Sequence, residues 1–500
     1  MTADRAAVMA RLHSLYGKWS DDQALQFSES SARHWFTWGD LGEVHSALVG
    51  LVAGHQLSES AAFVIVMRQR PAMVAAELAA LAEGRTALLV TPLQSDRSLV
   101  ADIELLQPAV VVAHAIDWER AGVAAAVAGS AMLGIEVDDR DGRVQVRLRC
   151  SGAPRPGPLL DAAVTVLSSG TTGPAKRLPV EWATFVQLGG GPEGREPRSG
   201  KGALILSLPL VTLGGLLSMA RLVFAGRPMS MTERFDVREW ASLVKEHRPT
   251  VIGAPPPVVQ MILDADISPD HFEGVTAYLT SSAAVRPEVA RAFEGRYGFP
   301  VLLGYGATEF LNSVTGWSGA LWERFGTTKL GSTGRALPGV RLRVVDPVTG
   351  QELPTDVVGL LEVDPPQRAG GLPDGWLRTA DRARVDEDGF LWILGRTDDV
   401  IVRGGFKIDL ATIESALREH PAVTDACAVG LVDDRLGAVP VAIVTVNDRV
   451  EPSDLLLWLR DRLPPYSVPT VVRIVDEIPL TTTFKPHRAE VRRTLEGDHP

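Results

Sequence analysis

Continuous apolar runs punctuate the first part of the chain: AAFVIVM at 61–67, TALLVTPL at 86–93 and LQPAVVVA at 106–113. Between the first two lies an Ala/Leu-rich window, AMVAAELAALAEG at 72–84, in which Val74, Leu78 and Leu81 recur at four- and three-residue spacing. Side chains at that spacing share one face of a helix, whereas runs that are apolar at every position predict strands buried on both faces. Strand–helix–strand alternation of this kind predicts a parallel sheet flanked by helices, and the same rhythm returns at 203–263 and 275–303. No fixed-period repeat is present.

From about residue 340 the texture changes. VRLRVVD (340–346), GLLEVD (359–364) and GFLWILG (389–395) are short alternating segments separated by turns, which predict a small antiparallel subdomain. Beyond Gly395 the order becomes helix (410–420), strand (426–431), strand (439–446), helix (452–463) and strand (471–475). The expected fold is α/β: a large N-terminal domain of parallel sheets with helices and the antiparallel subdomain, spanning 1–396, and a small mobile α+β C-terminal domain, spanning 397–500. A chain of 500 residues is too long for one core and fits this division. Gly/Pro-rich stretches at 151–158, 189–202 and 365–375 predict loops.

Composition narrows the function classes. With 50 Lys+Arg against 61 Asp+Glu the net charge is −11, so nothing drives the chain as a whole toward nucleic acid. Cys150 and Cys427 lie in no disulfide-framework or zinc spacing, the ten histidines are dispersed, and no GxSxG is present. Two isolated cysteines fit a reducing compartment, and the charged N-terminus does not read as a signal peptide, so a cytoplasmic location is expected. The uncharged stretch Gly202–Ala220 has the length of a membrane span, but Pro209 and Gly214-Gly215 interrupt it. A buried strand, a turn at Pro209 and the start of a helix are expected there instead, with no membrane span.

The sharpest chemical signal is VTVLSSGTTGPAKRLP at 164–179. A strand runs into Ser168, Ser169, Gly170, Thr171, Thr172 and Gly173, followed by Lys176. Hydroxyls, glycine amides and one ammonium are what a loop needs to wrap a polyphosphate, although the Walker spacing is missing. Taken alone, the residues fit equally well a Ser/Thr/Gly turn that ends a strand.

The segment resembles the phosphate loop of the ANL adenylate-forming superfamily, which includes acyl- and aryl-CoA ligases. Ala175 and Arg177 depart from the usual proline and glycine. Further resemblances follow in family order. Gly304-Tyr305-Gly306-Ala307-Thr308-Glu309 is similar to the Tyr-Gly-x-Thr-Glu motif, which implies Tyr305 stacked on adenine, Thr308 on phosphate and Glu309 on Mg²⁺. Ser281, Ser282, Ala283 and Ala284 stand where the family has a small-residue turn at the adenine pocket. Arg378-Thr379-Ala380-Asp381 resembles the Arg-Thr-Gly-Asp motif, with Asp381 on the ribose hydroxyls. Gly395-Arg396-Thr397-Asp398-Asp399 resembles the hinge, with Arg396 on ribose and phosphate and Asp398 as pivot. Gly404 and Gly405 match the loop that faces the thiol. Pro479 to Lys485 resembles the motif of the catalytic lysine, Lys485, with Phe484 in place of glycine. FTWGDL (36–41) extends the likeness upstream, so it covers essentially the whole chain.

The resemblance implies ATP-dependent activation of a small carboxylic acid as acyl-AMP, with Mg²⁺, then transfer to a thiol, with CoA as co-substrate. Two other readings stay open: a stand-alone adenylating enzyme that serves a carrier protein, amine or other nucleophile, and a catalytically reduced nucleotide-binding regulator. Val211 and Thr212 replace the aromatic and histidine of the family's Pro-Leu-Phe-His stretch. No charged partner for an amino group stands out, so a hydrophobic or aromatic acid is preferred over an amino acid.

Overall fold

A computed structural model describes the chain apart from residues 1, 30–31, 56, 59–60, 94–95, 129–132, 141–142, 151–161, 168–176, 193, 198–201, 282–284, 371, 398, 404–405, 434–435, 482–484 and 497–500. The chain divides into two compact units. The first holds Met1–Ser168, Lys176–Ser313 and Gln367–Leu372, and the second holds Val314–Pro366 and Pro373–Pro500. The 396/397 boundary expected from sequence falls inside the second unit.

The apolar runs of the first unit form a seven-stranded sheet in the order Gln145–Cys150, Leu133–Asp138, Val110–His114, Phe63–Val66, Ala87–Val90, Val164–Leu167 and Arg177–Val180. The inner five are parallel and the two edge strands antiparallel. Strand periodicity explains why every position of Phe63–Val66 and Ala87–Val90 is apolar. Phe63 and Ile65 enter one core with the helix Pro71–Ala82, while Val64 and Val66 enter another with Leu99 and Ile103 of the helix Asp96–Leu106. The helix expected in this window is present, and all twelve residues of Pro71–Ala82 are buried, beyond Val74, Leu78 and Leu81. The helices Ala3–Lys18 and Trp38–Val52 cover its outer side. FTWGDL has a local physical role: Thr37 caps Trp38–Val52, and Asp40 accepts a hydrogen bond from the Thr37 backbone N–H in return.

A second sheet joins Leu204–Ile205, Met229–Thr232, Gln23–Glu29 and Ala32–Thr37, and a third set places Val251–Gly253, Ala277–Ser281 and Val301–Ala307 in parallel. The stretch 202–220 is a two-residue strand, a turn and the start of the helix Leu213–Phe224, as expected, except that Leu204 and Ile205 are only half-buried. No described helix is long and apolar enough to cross a membrane.

In the second unit Arg341–Val345, Gly359–Asp364, Leu377–Val385 and Leu391–Arg396 form an antiparallel meander in sequence order. The C-terminal fold pairs the hairpin Val400–Arg403 and Phe406–Asp409 with Gly437–Val446 and Val423–Asp433. Val471–Ile474 runs parallel to Gly437–Val446. Leu410–Arg418 and Pro452–Arg460 bury against one face, and Arg488–Glu496 against the other. Cys427 lies in that second core, and burial pushes its thiol up to about 12, so it serves packing. Both cysteines are free.

Candidate active site

Parallel strands open crevices at their carboxyl ends, and the nucleotide-type motifs of the first unit stand there. Ala277–Ser281 and Val301–Ala307 pair so that Ser281 lies opposite Gly304. Ser281, where the small-residue segment begins, therefore stands beside the start of the Tyr-Gly-x-Thr-Glu segment. Gly306 has no room for a side chain, because a Cβ there would come within 2.8 Å of the Asn312 carbonyl oxygen. The chain then turns through the short 3-10 segment Thr308–Phe310, closed by Leu311 in the left-handed region at φ 55°. Phe310 is buried and its ring centroid lies 6.3 Å from that of Tyr305, which holds the half-buried tyrosine in place. Glu309 is exposed, and its backbone carbonyl accepts a hydrogen bond from the Ala369 N–H at 2.9 Å.

Ser168, Ser169, Gly170, Thr171, Thr172, Gly173 and Lys176 lie outside the described residues, as do Ser282 and Ala283. The strands that flank 168–176 are described: Leu167 pairs with Arg177 across an antiparallel register. Arg177, the departure from glycine, is an anchor. Its guanidinium donates to the Leu89 carbonyl and to Asp102 at 2.8 Å. Burial pulls its pKa down, with Asp102 opposing the shift. Thr212, at the family's histidine position, caps Leu213–Phe224 by accepting from the Gly215 N–H, and it donates to the Pro209 carbonyl at 2.7 Å. Gly215 is required by that turn, since a Cβ there would meet the Leu210 backbone at 2.4 Å.

In the second unit the two motifs expected on the ribose side are brought together. Asp381 on Leu377–Val385 faces Arg396 on Leu391–Arg396 across the sheet, with Arg396 Nη1 3.4 Å from Asp381 Oδ1. Thr379 accepts from the Asp381 N–H at 3.0 Å and donates to the Leu361 carbonyl at 2.9 Å, which fixes the acid on the strand. Ala380 fills the family's glycine position without disturbance. Its carbonyl accepts from the Thr397 N–H at 2.7 Å.

Hydrogen bonds tie Lys485 to Thr481. The Thr481 N–H donates to the Lys485 carbonyl at 2.7 Å, the Lys485 N–H donates to Thr481 Oγ1 at 3.2 Å, and the His487 N–H donates to the Pro479 carbonyl at 2.7 Å. Asp398, Gly404, Gly405 and Phe484 lie outside the described residues. Asp399, next to Asp398, is buried and paired with Arg488, with Nε 3.2 Å from Oδ1.

Sequence reasoning missed a buried ionic network in the first unit. Arg70, 1% exposed, pairs with Asp139, Glu29 and Glu233, while Arg68 pairs with Asp117 and Glu233. His114 adds a contact to Asp139 at 3.1 Å. The separations in sequence, 41 to 163 residues for Arg70 and its acids, leave no local signal.

Comparison with known proteins places these features in a family. A model described as AMP-binding enzyme matches residues 15–372, and one described as AMP-binding enzyme C-terminal domain matches 412–485. A 2-succinylbenzoate--CoA ligase of Bacillus pumilus is 29% identical over 298 residues, 58% of this chain and 60% of that protein's own length. A 2-succinylbenzoate--CoA ligase of Bacillus cereus is 27% identical over 352 residues, 67% of this chain and 71% of that protein. ATP-bound MatB from Rhodopseudomonas palustris superposes with a TM-score of 0.77 at 22% identity, over 99% of this chain and 100% of that one. The o-succinylbenzoate CoA synthetase (MenE) of Bacillus subtilis, with its acyl-adenylate intermediate, gives 0.73 at 21% identity over 97% of each. The chain belongs to the AMP-binding enzyme family, the adenylate-forming ANL superfamily.

Proposed function

We propose that the protein is an acid–thiol ligase that activates a carboxylic acid as acyl-AMP and transfers the acyl group to CoA. The observation that carries this reading is the cross-strand pair of Asp381 and Arg396. It joins two motifs 15 residues apart into one carboxylate–guanidinium surface, suited to ribose hydroxyls and phosphate. The names of the relatives support the thiol as acceptor, and the acid in those names, succinylbenzoate, supports an aromatic acid.

In the first half-reaction a carboxylate oxygen attacks the α-phosphorus of ATP. A carbon–oxygen–phosphorus linkage forms, the bond to the β-phosphate oxygen breaks, and pyrophosphate leaves. Two anions must approach, so positioning and charge neutralisation dominate. Lys485 would bridge the carboxylate and the α-phosphate. Ser168–Gly173 and Lys176 would cradle the β- and γ-phosphates, and Tyr305 would stack on adenine between Ser282–Ala283 and Gly304–Gly306. Glu309 offers one exposed carboxylate, which fits Mg²⁺, a cation that takes few carboxylates and completes its shell with phosphate oxygens and water. Bound there, Mg²⁺ supplies charge neutralisation on the phosphates, and Thr308 would hold the neighbouring phosphate oxygen. In the second half-reaction the thiol loses its proton, sulfur attacks the acyl carbon and AMP leaves. Residues 397–500 would reorient about Asp398 between the steps, moving Lys485 out and Gly404-Gly405 toward the thiol.

The test is acid-dependent ATP–pyrophosphate exchange over a panel of aromatic, aliphatic and amino acids, followed by detection of the CoA thioester. Exchange with thioester formation is expected for at least one aromatic or apolar acid. Exchange without thioester would move the acceptor to a carrier protein or amine, and no exchange with any acid would sink the ligase reading.

A further inference from the structure

Among the described residues, two clusters of histidine and carboxylate arise in the first unit outside the motifs. His114, Asp138 and Asp139 come together at the carboxyl edge of the seven-stranded sheet. That cluster already has its cation, because Arg70 Nε lies 2.6 Å from Asp139 Oδ1. The other is His13, His45 and Glu83, one ligand atom of each lying within 4.8 Å of the other two.

We propose that His13, His45 and Glu83 bind a divalent cation of the Zn²⁺ class. The three ligands come from three helices: His13 from Ala3–Lys18, His45 from Trp38–Val52, and Glu83 as the C-terminal cap of Pro71–Ala82. Three features support the site. The donor set, two imidazole nitrogens and one carboxylate oxygen, suits Zn²⁺ and its neighbours and not Ca²⁺ or Mg²⁺, which take oxygen ligands. Bond lengths of about 2.0–2.2 Å in a tetrahedron separate ligand atoms by roughly 3.4 Å, so the cluster closes with small side-chain movements. His45 Nε2 stands 2.8 Å from Glu83 Oε1 and needs only to part slightly, and His13 is an exposed side chain able to swing.

Position supplies the second argument. Glu83 sits where the peptide dipoles of Pro71–Ala82 already concentrate negative charge, and a carboxylate there is disfavoured unless a cation accompanies it. His45 is also held in place: its ring stacks on Tyr16, with centroids 5.3 Å apart and planes at 27°, and Tyr16 lies one turn from His13 on the same helix. A bound cation would have three protein ligands, with solvent completing the shell beside the exposed His13. Its effect would be to tie the first helix to the two beneath it, stabilising the folded chain in proportion to occupancy.

The experiment uses tag-free, EDTA-treated full-length protein and Zn²⁺ alone as the probe. Calorimetric titration should give one equivalent whose affinity falls on the order of tenfold or more in His13→Gln and again in His45→Gln, as expected when one of three ligands is lost. Zn²⁺ should raise Tm by several degrees in the wild type and not in either variant, which separates lost binding from any metal-independent loss of stability. Neither residue lies in a nucleotide motif, so ATP–pyrophosphate exchange should be the same in both variants as in the wild type. Absence of binding, binding unchanged in both variants, or displacement by millimolar Mg²⁺ would each overturn the assignment.

Discussion

Two ion-paired arginines, Arg70 buried and Arg488 half-buried, organise the two units in different ways. Arg70 draws on acids from separate sheets: Asp139 follows the strand Leu133–Asp138, Glu29 ends Gln23–Glu29 and Glu233 follows Met229–Thr232. Arg488 finds its partners within the C-terminal fold, in Glu414 at 2.7 Å, Asp399 at 3.2 Å and the Ala428 carbonyl. For both, burial works against the charge, and the surrounding carboxylates outweigh it, so both pKa values move upward. The chemistry is the same and the cargo differs. Arg70 clasps two sheets, and none of its three acids lies in a nucleotide motif. Arg488 stands three residues after Lys485 and pairs with the neighbour of Asp398, so it fixes the segment that carries the proposed lysine. A buried ion pair is weak evidence of net stabilisation, but removing one partner strands the other, and where the stranded charge sits decides what is lost.

Experiment can separate the two roles. Lys485→Ala sets the largest effect: ATP–pyrophosphate exchange should fall by ~10³-fold or more, about 4 kcal/mol, while thioester formation from supplied acyl-adenylate continues. Equal loss of both steps would remove the reason for treating the Arg488 segment as special. Arg70→Met should cost about 3–5 kcal/mol in denaturant unfolding, because three carboxylates each lose a guanidinium contact and Glu233 and Asp139 keep only weaker compensation from Arg68 and His114. The KM for ATP of the folded fraction should not change, and a raised KM would tie that network to the site. Arg488→Met should cost about 2–4 kcal/mol and slow exchange roughly tenfold more than it slows the thioester step, with Arg488→Lys restoring part of the difference. If both half-reactions slowed alike, Arg488 would be scaffold in the same sense as Arg70.

Glu77 gives the most pH-specific effect, and it contrasts with both arginines as a buried carboxyl group without a counter-ion among the described residues. It is fully buried in Pro71–Ala82, neither carboxylate oxygen has a hydrogen-bond partner among the described residues, and burial pushes its pKa from 4.5 to about 8. The folded state therefore holds a proton that the unfolded state has released between those values. Stability from this group is full below pH ~4.5, falls as pH rises, and levels off above about 8. Glu77→Gln should remove a slope of up to about 1.4 kcal/mol per pH unit across that window, read from unfolding at pH 5.5, 6.5 and 7.5. Parallel curves for the two proteins would show that Glu77 is paired in solution.

Some of this is legible in the residues. Runs such as AAFVIVM and TALLVTPL announce parallel strands because both sheet faces must be apolar, and the register Phe63–Val66 against Ala87–Val90 bears that out. The motifs at 304–309, 378–381 and 395–399 are legible because they are local strings. Other elements carry no comparable signal. The strand Leu377–Val385 is rich in charged residues and reads in sequence as a motif only, although Arg378 pairs with Glu362 and Arg382 with Asp409. The helix Arg488–Glu496 reads as a basic tail, yet its Val491 and Leu495 seal a core face.

Fold class, the order of the motifs and the identity of the family all follow from the amino-acid string alone, because they are properties of local pattern and order. Folding adds what the string does not show: Ser281 meets Gly304, Asp381 faces Arg396, and Arg177 and Thr212 serve as an anchor and a cap. Folding also gathers the acids around Arg70 and brings His13, His45 and Glu83 within reach of one cation. Contacts between residues distant in sequence are fixed by strand register and helix packing, which composition and spacing do not encode position by position.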